Sequence, residues 1–387
     1  MVKDIHVVAV SYGRNLFSED NMERKRMELC ATSVSSYHMI VFSKLSDGLK
    51  VVQTDSGLVL HPTNSKTRLH MIGDAVAIGS SLLKNRVGKW VVTSQDPFET
   101  GLVGYVLKRR HKVPLNIQEH GDFFSTDAWR KESVLNQIRF IFRKWILHRA
   151  DTVRVVSARI EKTMQRIGIS SEKIIRLAVR TDVYTGQGQE TPADLHAEYP
   201  DASTIVLSMA RFVPQKNLSL LVAAFATLHK QDPNAMLILV GSGSEEQKIR
   251  DAVQAHNLGQ AVVFKEWTDT PQAYMQSADI YALSSNYEGW GRVLVEAMLA
   301  GTPVVTTDVG CASEVLLDDI HGLVVPVGDE KLFSKALTTL AADEEMQNRF
   351  SHAARRDIIS AHISMEAYTD AWADILEYTY KITDVPR

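Results

Sequence analysis

Glu288 and Glu296 stand eight positions apart in YEGWGRVLVE, with Gly289, Trp290, Gly291 and Arg292 between them. An apolar run, Ile280 to Leu283, precedes them, and a second, Val304 to Thr306, follows Gly301 and Pro303. This reads as strand, loop, helix, strand, the unit that builds parallel sheets. The helix is expected to open at Gly289 to Gly291, where missing side chains leave backbone N–H groups of partial positive charge open to an anion. On one helix the two carboxylates would lie about 12 Å apart along the axis and within about 80° around it. With Glu288 in the loop before the helix, the pair can instead reach different parts of one extended ligand. The competing reading is two solvated surface glutamates.

Other chemistry-bearing residues also fall where strands should end. In ARFVPQKNL, Arg211 and Lys216 flank a proline-containing loop before a helix. A planar fork and a point charge beside a helix start suit a diphosphate, although two solvated cations would look the same in sequence. In GSGSEEQ, Gly241 and Gly243 let a backbone or a flat ring approach closely. Trp267, in KEWTDTP, either stacks on a nucleobase or packs inward. In EHGDFFS, His120 beside a glycine has a neutral ring able to donate and accept, or serves structure alone. Asp122 and Asp127 are caps or acceptor contacts.

The elements that must position these groups alternate along the chain. Apolar β-branched runs occur at 5–10, 38–42, 51–53, 90–93, 115–118, 153–156 and 174–179, with helix-like stretches at 68–86, 97–110, 134–149 and 158–167. Residues 180–204 are poor in long apolar side chains and rich in Gly, Pro and acids, as a connection between domains would be. Alternation then restarts: strands at 205–209, 236–240, 262–264 and 323–327, helices at 218–229 and 245–256. This is the pattern of doubly wound parallel sheets, where ligands gather beyond the carboxyl ends of the strands. SYGRN after the first strand is not a G-x-G-x-x-G turn, so a dinucleotide site there has little support. The tail 364–380 repeats aromatics at helical spacing and reads as a closing helix packed on a domain surface.

Composition narrows the classes. A chain of 387 residues, 45% hydrophobic and 23% charged, fits a globular protein of two or three domains. The start reads as a strand and not a signal peptide, and no apolar run reaches membrane-span length. Two cysteines, Cys30 and Cys311, far apart in sequence, suit a reducing cytoplasm. The net charge of −3 hides an asymmetry: residues 1–200 carry 29 Lys and Arg against 21 Asp and Glu, and the remainder 14 against 25. Much of the basic excess lies between Lys108 and Arg149. Residues 139–149, RFIFRKWILHR, mix basic and apolar side chains as a helix on an anionic membrane would, or as an ordinary amphipathic helix does. Nucleic acid fits poorly, because the chain as a whole is not basic and carries no recognition motif.

In order and spacing, ARFVPQKN, VGSGSE, YEGWGRVLVEAM, AGTPVVTTDVG and HGLVVPVGD resemble the retaining GT-B glycosyltransferases of family 4, the group 1 type, over most of 203–355. In the first half QEHGD and RADTVRVVSARI add to the likeness. The resemblance implies an α/β protein of GT-B fold, two Rossmann-like doubly wound domains facing across a cleft. Its implied boundaries are an acceptor domain at 1–185, a linker at 186–203, a nucleotide-sugar domain at 204–360, and a helix at 361–387 packing back on the first domain. It implies a hexose transferred from a nucleotide-diphosphate sugar to a glycan or lipid-linked acceptor in cell-envelope synthesis; the cysteine usage and residues 139–149 add the expectation of a cytoplasmic protein, peripheral on the membrane's inner face.

By the same resemblance, Arg211 and Lys216 neutralise the diphosphate, so neither a metal nor another cofactor is expected. Glu296 would hold the ribose, Glu288 the sugar hydroxyls, and His120 would reach the sugar from the facing domain. Backbone at Gly289 to Arg292 would complete the donor site, with Gly241, Gly243 and Trp267 around the nucleotide. The sequence departs from the family at Trp290, usually Phe, at Arg292, usually aliphatic, at SYGRN and at AVRTD. A catalytically silent nucleotide-sugar-binding or scaffold protein and a GT-B nucleotide-sugar epimerase are the alternatives.

Overall fold

The computed structural model describes residues 2–123, 128–180, 194–268, 270–361 and 364–384. They fall into two compact units: residues 1–120, 133–178 and 363–387 form one, and residues 121–132 with 179–362 form the other. The segment 121–132 therefore groups with the second unit although the chain on both sides of it belongs to the first. Of the expected linker 186–203, residues 186–193 lie outside the described residues, and 194–203 include a short helix, Leu195–Glu198, anchored by buried Leu195.

The first unit is built on eight strands: β1 Lys3–Ser11, β2 Val34–Val41, β3 Val52–Gln53, β4 Leu58–Pro62, β5 Trp90–Ser94, β6 Leu115–Glu119, β7 Thr152–Val155 and β8 Ile174–Arg176. Their order is β3-β4-β2-β1-β5-β6-β7-β8, parallel except for the β3–β4 pair at one edge. The second unit has six parallel strands: β9 Ile205–Met209, β10 Met236–Val240, β11 Val262–Lys265, β12 Ile280–Leu283, β13 Val304–Thr307 and β14 Gly322–Val325. Their order is β11-β10-β9-β12-β13-β14. Strands β5, β9, β12 and β13 are buried at every residue, which is why they read as unbroken apolar runs and not as alternation.

Helices pack against these sheets. In the second unit the helix Leu218–Gln231 shares a core with the helix Glu330–Ala341 through Leu221, Phe225, Phe333 and Leu337. In the first, the closing helix Met365–Asp384 buries Tyr368, Trp372 and Leu376, at i, i+4 and i+8, in one cluster with Ile5, Tyr37 and Leu58. The Tyr37 and Trp372 rings lie 5.2 Å apart. Burying each such aromatic contributes about 1.5–3 kcal/mol, and Lys3 ties the same helix down through Asp374 at 2.7 Å.

The sequence reading named no helix over Pro271–Gln276, Glu330–Ala341 or Glu344–Ala361 in the second unit, and in the first unit it passed over one helix and one strand. The helix Met22–Ala31, MERKRMELCA, has too few apolar residues for a clear stripe; it is held by Asn21, which accepts from the Glu23 and Arg24 amides, and by Arg24–Glu28 one turn apart at 2.9 Å. Strand β4 is only five residues long, with Leu58 and Leu60 inward, and ends on Pro62.

One internal ion pair fixes the end of β6. Arg143, on the helix Val134–Leu147, meets Glu119 Oε2 at 2.8 Å, and both side chains are fully buried. Removing one member of such a pair leaves a buried charge at a cost of about 3–5 kcal/mol. The pair holds that helix against the residue immediately before His120.

Candidate active site

In the second unit two loops beyond the strand ends are knitted into one surface. The chain leaves β9 through Ala210 to Val213 and makes a short turn at Pro214–Lys216. At Asn217 the backbone turns left-handed (φ 47°) to start the helix Leu218–Gln231. The loop after β12 grips that turn: Ser284 Oγ donates to the Lys216 carbonyl at 2.9 Å, Asn286 Nδ2 to the Pro214 carbonyl at 3.0 Å, and the Asn286 amide to the Gln215 carbonyl at 2.8 Å.

At the centre Lys216 Nζ forms an ion pair with Glu288 Oε1, the two side chains being only 13% and 9% exposed. The carboxylate also accepts from Ser285 Oγ at 2.8 Å and from Gln215 Nε2 at 3.2 Å. A charge this far from water persists only with such partners. Arg211 differs: its residue is exposed, and among the described residues its guanidinium has no carboxylate partner. Its positive charge is felt at Tyr287, whose hydroxyl donates to Glu132 Oε1 at 2.7 Å.

Gly241 and Gly243 have a local explanation. A Cβ on Gly241 would strike the Ala210 carbonyl, and one on Gly243 the Phe212 carbonyl. The Phe212 amide donates to the Ser242 carbonyl at 2.8 Å, so the glycine loop lies against the backbone that carries Arg211. The close approach inferred from sequence is thus made at least to the protein's own backbone. Trp267 does not pack inward; it is 60% exposed and open to stacking.

The helix with Glu296 runs from Arg292 to Ala300, with Gly291 (φ 75°) just before it, one residue later than the sequence suggested. Arg292 pairs with Glu296 at 3.4 Å, so this departure from the family pattern places a cation on the very carboxylate expected to bind. Burial raises the Glu296 carboxyl pKa, and Arg292 opposes that rise. Trp290 is buried, and its indole N–H has no hydrogen-bond partner among the described residues. Its carbonyl accepts from the Cys311 amide at 2.7 Å, and a Cβ on Gly310 would strike that carbonyl. Gly289 sits half-buried in the same turn.

The structure brings Lys216 to Glu288 and Arg292 to Glu296, and lays the glycine loop beside Arg211. Sequence reasoning missed Gln215, Ser285, Tyr287 and Gly310. Ser285 and Gly310 each lie just past a strand end and were legible as such; Gln215 and Tyr287 carried no signal of their own.

His120 belongs to the first unit, at the end of β6. Its residue is exposed, its Nε2 lies 2.9 Å from Gln118 Oε1, and the density of protein around the ring, with Arg154 and Arg26, lowers its pKa and keeps it neutral. Asp122 is buried, and Asp127 lies outside the described residues. Of the basic residues in 139–149, Arg143 is buried against Glu119 and Arg139 is bound to Glu99 at 3.0 Å, so neither faces outward freely.

The chain matches the family model for glycosyl transferases group 1 over residues 196–357 and that for the glycosyl transferase 4-like domain over residues 89–180. It is 29% identical over 194 residues to the lipopolysaccharide core biosynthesis glycosyltransferase LpsE of Rhizobium meliloti, spanning 50% of this chain and 56% of that protein. It is 31% identical over 225 residues to the phosphatidyl-myo-inositol mannosyltransferase of Mycobacterium leprae, spanning 57% of each. These matches thus reach little more than half the length of either relative. Among solved structures, the sucrose-phosphate synthase of Thermosynechococcus elongatus superposes with a TM-score of 0.79 at 20% identity, over 97% of this chain and 99% of that one. HepE of Anabaena, solved with UDP and glucose, superposes at 0.74 and 17% identity, over 96% and 99%. At these identities the likeness is one of fold: two Rossmann-like units of GT-B type.

Replacing Arg292 removes the cation that, among the described residues, opposes the burial of Glu296. In Arg292→Ala the Glu296 carboxyl, followed by carbon NMR through a pH titration, takes up its proton at a higher pH than in the parent protein. An unchanged midpoint would show that the pair does not form in solution.

Proposed function

The chain belongs to the GT-B glycosyltransferases of family 4 type, with a group 1 domain over residues 196–357, and from that premise we propose that it transfers a hexose from a nucleotide-diphosphate sugar with retention of configuration. The observation that carries this reading is the buried Lys216–Glu288 pair beside Arg211, a cation with no carboxylate partner among the described residues. Arg211 takes the diphosphate through its planar fork, and Lys216 adds a point charge. As the bond from the anomeric carbon to the diphosphate oxygen breaks, both electrons leave with the diphosphate. Fixed cations beside that oxygen stabilise the growing charge by several kcal/mol. In this role they stand where a divalent cation would, and the proposed transfer is metal-independent.

Glu288 accepts from the sugar hydroxyls and Glu296 from the ribose, with the amides of Gly289 to Arg292 turned toward the anion. Gly241 and Gly243 hold the loop that carries Arg211, and Trp267 stacks on the base. Trp290, whose indole N–H has no partner among the described residues, and Arg292 adapt the donor pocket. His120 accepts a sugar hydroxyl. The acceptor hydroxyl attacks on the face that the diphosphate leaves, which retains the anomeric configuration without an enzymic nucleophile. Relatives named for lipopolysaccharide core and phosphatidyl-inositol glycosylation support a glycan or lipid-linked acceptor of the cell envelope.

We propose in addition that the protein works as a peripheral protein on the cytoplasmic face of the membrane. No helix of the described residues is long and apolar enough to cross a bilayer. The helix Val134–Leu147 instead exposes Val134, Leu135, Ile138 and Ile141 at 73, 52, 61 and 76%, with Trp145 at 38%. These positions recur at helical spacing, and Lys144 and Arg149 lie exposed near them. An apolar stripe among cations fits an anionic lipid surface. The surface thus begins earlier than the 139–149 read from sequence, because Arg139 and Arg143 are engaged elsewhere.

Two measurements test these readings. Glu296→Ala and Lys216→Ala lower sugar transfer by about a hundredfold or more while circular dichroism shows the fold retained; full activity in both would sink the transferase reading. Sedimentation with anionic vesicles carries the parent protein down, and Ile138→Glu with Ile141→Glu leaves it in the supernatant. Parent protein that stays in solution would remove the membrane reading.

A further inference from the structure

A file of side-chain hydrogen bonds crosses the first unit from His120 to the closing helix. Its members come from one face of neighbouring parallel strands. Asn116 and Gln118 alternate on β6, and Thr152 and Arg154 alternate on β7. The register sets Asn116 beside Thr152, Gln118 beside Arg154 and Thr93 of β5 beside Asn116. Thr93, Asn116, Thr152 and Thr379 are no more than 1% exposed. Polar groups so deep must be mutually satisfied, because each orphan would cost about 1–3 kcal/mol.

The direction of every bond in the file is forced. Arg154 Nη1 lies 2.9 Å from one end of the Gln118 carboxamide. A guanidinium only donates, so that end is the carbonyl oxygen, Oε1. The other end, Nε2, then donates to Thr93 Oγ1 at 3.1 Å. Thr93 passes its own proton to Asn116 Oδ1 at 3.0 Å, and Asn116 Nδ2 donates to Thr152 Oγ1 at 2.9 Å. The Thr152 hydroxyl donates to Thr379 Oγ1 at 2.6 Å, and Thr379 donates to the Ile375 carbonyl at 2.7 Å. A backbone carbonyl only accepts, so working back from the helix gives the same order. Arg154 is itself fixed, through Nη2 to the Leu177 carbonyl at 3.2 Å and to Tyr368 Oη at 3.0 Å.

His120 completes the file. Its Nε2 faces the same Gln118 oxygen at 2.9 Å, an atom that cannot donate, while Nδ1 makes no hydrogen bond among the described residues. We propose that this file holds His120 as the Nε2–H tautomer, with the Nδ1 lone pair presented to a sugar hydroxyl, and that Gln118 and Arg154 are its positioning residues. The part played at the sugar rests on the transferase reading above; the tautomer does not. A donor at Nδ1 would serve a carbonyl or phosphate oxygen, whereas an acceptor there selects a hydroxyl. The closing helix, through Thr379 and Tyr368, thereby sets the state of a ring at the far end of the sheet.

The test uses full-length protein with 15N-labelled histidine and long-range proton–nitrogen correlation, the His120 signals being those lost in His120→Gln. Expected in the parent protein at neutral pH is one tautomer, protonated at Nε2. Gln118→Met, whose thioether is only a weak acceptor, gives a mixture of tautomers, and Gln118→Glu restores protonation at Nε2. Transfer in Gln118→Met falls about tenfold, as when an orienting partner is lost, with the Kd for nucleoside diphosphate unchanged. A parent ring protonated at Nδ1, or a Gln118→Met spectrum like the parent's, would overturn the proposal. So would a lost tautomer with unchanged turnover. Parent protein that binds nucleoside diphosphate but transfers no sugar would count against the transferase reading alone, since the tautomer is read without turnover.

Discussion

The second unit depends on one charge pair kept from water. Lys216 comes from the short 3-10 turn after β9, and Glu288 from the loop after β12, which has no regular element of its own. Such a pair is worth little unless the remaining lone pairs and protons are satisfied, and here Ser285 and Gln215 supply partners for both carboxylate oxygens. The same contacts pull the two loops together, so the ion pair organises the surface. The Ser284, Asn286 and Gln215 bonds join the same two loops at further points. An anionic ligand brought to that surface finds a lysine already in place and an arginine still free to turn.

Much of this was readable from residue types because strand ends in a parallel sheet announce themselves. The runs at Ile205, Met236 and Ile280 are buried on both faces, so their apolar character is continuous and the polar residues that follow stand out. Arg211, Lys216, Gly241 and Glu288 were singled out this way, and Glu296 by its spacing from Glu288. What stayed hidden were contacts between segments distant in sequence. Gly241 and Gly243 look like ligand-binding glycines, yet the atoms they make room for include the carbonyls of Ala210 and Phe212 some thirty positions earlier. Arg292 and Arg143 are plain cations in sequence; only the fold shows one beside Glu296 and the other sealed against Glu119. The grouping of 121–132 with the second unit, where Tyr287 meets Glu132 and Phe123, was equally invisible.

The first unit shows the opposite economy. A helix of twenty residues at the far end of the chain, legible from its aromatic spacing, closes the core over Tyr37 and Leu58. Beneath it the sheet gives up apolar side chains at Thr93, Asn116 and Thr152 for a file of polar ones. A packed apolar face would be about as stable, so the file is better understood as orientation than as strength. The direction of its bonds, set by a group that only donates and a carbonyl that only accepts, is a property no single residue carries.

The most direct test of the charge arrangement compares two ligands on two proteins by titration calorimetry. A nucleoside diphosphate binds the parent protein, and Arg211→Ala weakens it by about tenfold or more, while a nucleoside monophosphate is hardly affected, as expected when the arginine meets the second phosphate. Equal losses for both ligands, or none for either, would contradict the assignment of Arg211 and with it the diphosphate site built around Lys216 and Glu288.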